Sequence, residues 1–310
     1  MKTTSFINLK SLSSLMLAFV LILGSCSKSD EVTVSENTLN VNTESSEDSY
    51  HNDADDLANS IASLPDGSIT GRSEGVNDTR FCTDTKVTLR KADNENSDTL
   101  IIDFGTVGCK DVKGNTRKGK IIVIFNPGKR SYPQFTNTVT FENFFVNGVK
   151  VEGTRTIKNV TSTIGEGAPD ITFDISLTGG KLTFPDGTTA TRTTRHFRQW
   201  ARGGTALDFS DDQQKILAFY IEVQSTASGS NRKGYTYEMK VTKDIVYKNS
   251  CLKDSKIFIP VSGTKTLKVT KDGKSVDITV DYGDGTCDKT VTITTSGKTE
   301  TVTVSRDDNG

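Results

Sequence analysis

The chain has 310 residues, a formal net charge of −1, 25% charged and 33% hydrophobic residues, five cysteines and only two histidines. A balance this close to neutral lacks the basic footprint of a nucleic-acid binder, so no nucleic-acid partner is expected. A chain of this length can bury a substantial core even after its termini are set aside.

In chain order, Lys2 and Lys10 precede an apolar run at 15–23, and small residues lead from it into Cys26. The run is far short of the roughly 20 apolar residues that cross a bilayer, and the layout is that of an export signal. Leu23-Gly24-Ser25-Cys26 resembles the lipobox of a bacterial lipoprotein. The resemblance implies a signal peptide over 1–25, cleavage before Cys26 and lipidation of its thiol. Acyl chains on Cys26 would then be the membrane contact, since the longest later apolar stretch, Ile121-Ile122-Val123-Ile124-Phe125, is of strand length. Asp30-Glu31 is similar to the acidic signal that sends lipoproteins of the Bacteroidota to the cell surface, although Ser27-Lys28-Ser29 separate it from the cysteine. The expected location is the outer membrane, on its periplasmic face or at the cell surface.

Residues 26–79 read as a lipidated cysteine followed by an acidic tether, because 27–52 hold Lys28 as their only basic residue and too few apolar groups to build a core. One short helix is expected within it at 53–64, where Leu57, Ile61 and Leu64 are helically spaced and Pro65 follows.

From about 80 to 306 the period becomes two. Ile171, Phe173, Ile175 and Leu177 alternate with polar residues, as do Leu217, Phe219, Ile221 and Val223, then Tyr235, Tyr237, Met239 and Val241, then Val276, Ile278, Val280 and Tyr282. Strands of this kind bury one face and wet the other, which is the habit of antiparallel sheet. Asn147-Gly148, Asp272-Gly273 and Ser296-Gly297 fall between such runs and suit two-residue hairpins. Gly179-Gly180 and Pro185-Asp186-Gly187 are read as two further turns. The expected fold is all-β, an antiparallel hairpin meander of roughly 13 to 15 strands curled into a sandwich, barrel or half-barrel, since so many strands rarely stay flat.

Four cysteines remain after Cys26. Asp103-Phe104-Gly105 leads to Cys109 and Asp281-Tyr282-Gly283 to Cys287, so D-[FY]-G-x-x-x-C occurs twice, each time after a strand-like run, with Cys82 and Cys251 upstream. These are read as related repeats near 82–125 and 251–304. An exported protein meets an oxidising compartment where thiols pair. Of the three connectivities open to four cysteines, the repeat favours Cys82 with Cys109 and Cys251 with Cys287. A zinc site would need C-x-x-C pairs, which are absent.

Motifs with chemical content are few. Gly297-Lys298-Thr299 lacks the upstream glycine of a phosphate loop and reads as a hairpin. Asp281, Asp284 and Asp288 around Gly283 and Gly285 form a weak calcium candidate without EF-hand spacing; no cofactor is expected and no catalytic residue is assigned. His51 falls in the expected tether, which leaves His196 for any histidine-based catalysis. The least ordinary segment is 191–204, where Arg192, His196, Arg198 and Trp200 would share one face of a strand. Arginine stems against an indole could form a platform for an anionic or sugar ligand; the plainer expectation is cross-strand pairing with Asp170 or Asp174 and a Trp in the core.

Taken together, the lipobox, acidic tether, IDFGTVGC, RKGKIIVIF, FENFFVNGVKVEGTRT and VDYGDGTC segments resemble a group of Bacteroidota lipoproteins without an assigned activity. The resemblance implies the lipoprotein class and supplies no mechanism; with no catalytic constellation in the sequence, the expected function is a membrane-anchored lipoprotein whose all-β ectodomain is a binding or structural module rather than an enzyme, with an unidentified ligand or protein partner. The alternatives are a lipid or apolar-ligand carrier with a curved sheet, and a glycan-acting hydrolase. An uncovered aliphatic inner face would favour the carrier, and a cleft with two carboxylates about 5 to 10 Å apart the hydrolase.

Overall fold

The computed structural model describes residues 41, 44, 47, 49–54, 57, 58, 70–72, 80–82, 84–91, 97–112, 114–126, 134–161, 170–201, 212–251 and 259–303. The expected signal peptide, Cys26, Asp30-Glu31 and the 59–64 part of the expected helix lie outside them. Among the described residues there are eighteen strands. The first half comprises β1 (Thr70–Arg72), β2 (Lys86–Arg90), β3 (Asp98–Asp103), β4 (Cys109–Lys110), β5 (Thr116–Phe125), β6 (Thr136–Val146), β7 (Val149–Asn159), β8 (Ile171–Thr183) and β9 (Thr189–Ala201). The second comprises β10 (Gln213–Leu217), β11 (Phe219–Tyr220), β12 (Val223–Gln224), β13 (Thr226–Ser230), β14 (Thr236–Lys248), β15 (Ser262–Lys271), β16 (Lys274–Asp284), β17 (Thr290–Thr295) and β18 (Lys298–Thr303).

Sixteen strands form one sheet in the order β1-β2-β3-β5-β6-β7-β8-β9-β10-β14-β15-β16-β17-β18, with β4 paired to β5 and β13 bridging β9 and β14. Neighbours in sequence are neighbours in space, so the fold is the expected antiparallel meander. Among the described residues its end strands β1 and β18 each have a single partner. Asn147-Gly148, Asp272-Gly273 and Ser296-Gly297 form the hairpins between β6 and β7, β15 and β16, and β17 and β18, with φ positive at both residues of each pair.

Gly179-Gly180 is not a turn. It lies inside β8, where the pairing with both β7 and β9 shifts register. The bulge is on β8: Gly179 and Gly180 oppose the single residue Gly153 of β7, and a Cβ on Gly153 would stand 2.8 Å from Gly180 Cα. The two backbones approach this closely because the residues are glycines, and a bulge adds bend and twist to a sheet. Register shifts also occur between β5 and β6, β14 and β15, and β15 and β16.

The alternation at Leu217, Phe219, Ile221 and Val223 does not form one strand either. β10 ends at Leu217, and 219–224 make a small separate hairpin with Ile221 and Glu222 at positive φ. Ile221 is 79% exposed and Phe219 56%. The period-two pattern is real, but the backbone reverses in the middle of it.

The larger departure is at the N-terminus. Residues 41, 44, 47, 49–54, 57 and 58 are helical and define α1. Val41, Glu44, Glu47, Tyr50, His51, Ala54, Leu57 and Ala58 are all 2% exposed or less. These positions recur every three or four residues, so one whole face of α1 is buried. The expected tether at 27–52 is therefore overturned over 41–52, and the helix begins well before 53. A disorder reading from composition assumes that acids remain in water; here cations on the sheet receive them.

Two apolar clusters hold the ends of α1. Tyr50, Ala54, Leu57 and Ala58 join side chains from β2 through β9, including Leu100, Ile102, Phe104, Ile121 and Phe144. Val41 belongs to a second cluster built from β10 and from β13 through β17, including Tyr237, Val241, Leu267, Ile278 and Val280. Between the two clusters the interface is polar.

Candidate functional site

Four cations point inward from the sheet: Arg117 on β5, Arg155 on β7, Arg192 on β9 and Lys265 on β15, each buried. Each lies in phase with aliphatics of its own strand that are buried on the same face, as Arg155 does with Ile157 and Lys265 with Leu267. A buried cation is stable only with a hydrogen-bonded partner, and α1 supplies most of the partners.

Glu44 accepts from Arg192 Nη1 at 2.9 Å and pairs through its other oxygen with Lys265. Arg192 Nη1 also lies 3.4 Å from the Tyr237 hydroxyl, which donates to Glu47 Oε2 at 2.5 Å. One turn on, Asn52 Oδ1 accepts from Arg155 Nη2 at 2.7 Å and from Arg198 Nη2 at 3.0 Å. Asp53 Oδ2 accepts from Arg117 Nη2 at 2.8 Å, and Arg117 Nη1 donates to Asp111 Oδ2 at 2.6 Å. Arg80 closes this end on Asp53 Oδ1 at 3.2 Å.

These partners come from β15, β14, β9, β7 and β5 in turn, so α1 lies across the strands.

The electrostatics follow from burial and pairing. Burial alone would lower the Lys265 pKa, but Glu44, with Tyr282 beside it, outweighs that and holds the ammonium above its ordinary value. Burial pushes the Tyr237 hydroxyl well above its usual range, so it serves as a donor. Burial would raise Asp111, yet the Arg117 guanidinium and the Asn115 amide leave it below the usual carboxylate range. His51 goes the other way: burial, with Arg155 and Arg192 adding to it, lowers its pKa despite two backbone contacts. Its Nδ1 is 2.9 Å from the Glu47 carbonyl and its Nε2 3.3 Å from that of Glu152. A neutral ring donates to one of these, and the shorter contact favours the proton on Nδ1.

The sequence-derived platform divides across this site. Arg192, His196 and Arg198 do share a face of β9; Arg192 and His196 are buried, while Arg198 is half-buried against Asn52. Trp200 is half-buried and its Nε1 donates to Asp212 Oδ2 at 2.7 Å. Arg192 pairs with Glu44 rather than with Asp170 or Asp174; it is Arg195, on the opposite face, that meets Asp174 at 2.8 Å. His51, assigned to the tether, is instead a buried member of the interface.

Both expected disulfides are present in the structure, Cys82 to Cys109 with Cα atoms 6.0 Å apart and Cys251 to Cys287 with Cα atoms 5.2 Å apart. The repeated triplets share one local hydrogen bond, at the end of β3 and at a bulge near the end of β16: Asp103 Oδ1 accepts from the Gly105 amide and Asp281 Oδ1 from the Gly283 amide, each at 2.8 Å. The calcium candidate does not assemble. Asp284 Oδ1 is taken by the Thr286 amide and hydroxyl, which hold its carboxyl below the usual range, and Asp288 Oδ1 by the Thr290 amide. Among the described residues, no three His, Cys, Asp or Glu side chains gather as a metal site.

Chemically, the arrangement is a cation-lined trough filled by an acidic helix. The two carboxylates that meet at Arg117, Asp53 and Asp111, are clamped on one guanidinium, and Asp111 is held ionised. A glycosidase acid needs the opposite, a carboxyl raised enough to carry a proton at neutral pH. No family model, no curated protein and no solved structure matches this chain.

Proposed function

We propose that the chain is a lipid-anchored extracytoplasmic module at the outer membrane, whose sheet clasps its own acidic helix and serves binding or structure rather than catalysis. The observation that carries this reading is the docking of α1 into the trough. Cys26 and Val41 are 15 positions apart, and 15 residues span at most about 50 Å in any conformation. An acyl chain on Cys26 would thus keep the domain near the bilayer, far closer than a tether running to residue 79 could. Among the described residues, no helix is long and apolar enough to cross a membrane. The covered inner face also favours the module over an apolar-ligand carrier, because α1 fills the concavity with ion pairs rather than leaving aliphatics open.

The test is metabolic labelling with palmitate. The wild-type chain should incorporate label and partition with membranes, and Cys26→Ala should lose both. Undiminished labelling of Cys26→Ala would refute the anchor.

A further inference from the structure

The interface between α1 and the sheet is built unlike the rest of the core. Charged and polar pairs run along it from Glu44 to Asp53, interleaved with the apolar contacts of Tyr50 and Ala54 and flanked by those of Val41 and Leu57. Buried ion pairs give specificity while adding little net stability, because desolvation offsets most of the attraction. An isolated helix of this length is itself marginal in water. Such a contact is selective in what it admits.

Without α1, the trough would keep Arg117, Arg155, Arg192 and Lys265 with Asp111 as the one acid among these partners. Its complement is narrowly defined: a helix with three acids and an amide along one face, and apolar residues beside them. The chain permits exchange, since 12 positions separate Ala58 from Thr70, the start of β1, enough to span up to about 40 Å.

We propose that the trough is a binding site for an acidic amphipathic helix, occupied in cis by α1 and open in trans to the α1 of a second copy. Charge complementarity carries the choice of occupant. A second copy presents Glu44, Glu47, Asn52 and Asp53 at the spacing the four cations already accept, with Val41 and Leu57 placed for the two apolar clusters. The proposal needs no lipid anchor and stands or falls apart from it.

The experiment uses the full chain with a protease site inserted within 59–69, cut after folding, and a fluorescent synthetic peptide of residues 38–60 in excess. The peptide should replace the nicked helix and co-elute with the protein. A peptide carrying Glu44→Gln, Glu47→Gln and Asp53→Asn should bind at least tenfold more weakly. Retention of the nicked helix without exchange, loss of the fold on cutting, or equal binding of the neutral peptide would each overturn the proposal. For the trans contact, a chain with Glu44→Lys is mixed with one carrying Arg192→Glu and Lys265→Glu. A mixed dimer should appear in native mass spectrometry, and combining all three substitutions in one chain should return a monomer. Two folded variants that stay apart on mixing would rule out exchange; if either fails to fold, the peptide exchange decides.

Discussion

The two halves of the sheet carry the same Asp-aromatic-Gly motif and staple, yet they share α1 unequally. In each half the motif stands at or near the end of a strand, the Asp accepts from the Gly amide, the aromatic is buried and a cysteine follows to close a disulfide. The aromatic differs. Phe104 packs among Phe81 and Phe144 in the cluster that takes Leu57 and Ala58. Tyr282 borders Lys265, whose partner is Glu44. The Tyr282 hydroxyl thus stands beside a buried cation and the plain ring of Phe104 among aromatics. Each half holds α1 with both kinds of contact, but Tyr50, Ala54, Leu57 and Ala58 all enter the first cluster whereas Val41 is the α1 residue of the second, where Glu44 meets two cations.

The sharpest way to break the comparison is to remove the acid. Glu44→Ala leaves Arg192 and Lys265 buried side by side with their shared carboxylate gone, and breaking a buried pair of this kind costs about 3 to 5 kcal/mol. Urea unfolding of the variant should show a loss of that order. A loss below about 1 kcal/mol would mean that water already reaches the pair, and the polar half would then contribute little to holding α1.

The apolar half predicts a somewhat smaller effect of another character. Leu57 is fully buried in its cluster, and a Leu→Ala change at such a site costs about 2 to 4 kcal/mol through lost burial and a residual cavity. The effect of Leu57→Ala should be unchanged in a chain that also carries Arg192→Met and Lys265→Met, whereas that of Glu44→Ala should shrink there, because Glu44 shares those partners. If both variants respond alike, the two halves do not differ in physics and the comparison fails.

The sheet was legible because alternation and Asn-Gly or Asp-Gly turns are local signals, and they placed the hairpins around Asn147, Asp272 and Ser296. The disulfides were legible from the duplicated triplet. What failed was each place where meaning depended on a distant partner. Gly179-Gly180 has the composition of a turn, and only its pairing with Gly153 on one side and Arg192 on the other shows it to be a bulge inside β8. The acidic stretch before residue 53 looked unable to fold because its counter-charges are more than sixty residues away, on strands where basic residues fall in phase with the aliphatics. That pairing was present in the sequence as two patterns: cations at inward strand positions, and Val41, Glu44, Glu47, His51 and Ala54 at helical spacing. Reading hydrophobic residues alone discards both. The Arg192 platform was placed on the correct face of β9, but nothing local could reveal that α1 covers it.

The smallest predicted effect tests whether His51 belongs to the neutral centre of the interface. It faces Glu47, Glu152, Arg155 and Arg192, with Phe141 edge-on to its ring, and burial together with the two arginines lowers its pKa below the ordinary 6.5. The unfolded chain therefore binds a proton before the folded chain does as pH falls through this range. Stability is full above pH 6.5 and declines below it until the folded ring protonates in turn, by about 1.4 kcal/mol at pH 5.5 while the buried ring stays neutral. Asp111, held below the usual carboxylate range, remains ionised throughout that window and does not contribute. Replacing His51 by Gln keeps an amide donor for the Glu47 carbonyl but removes the titration, so the decline between pH 7 and 5.5 should flatten by most of that amount. Unfolding free energies measured in urea at half-unit steps for the two chains would settle it. Equal slopes would remove the neutral ring from the account of how α1 is held.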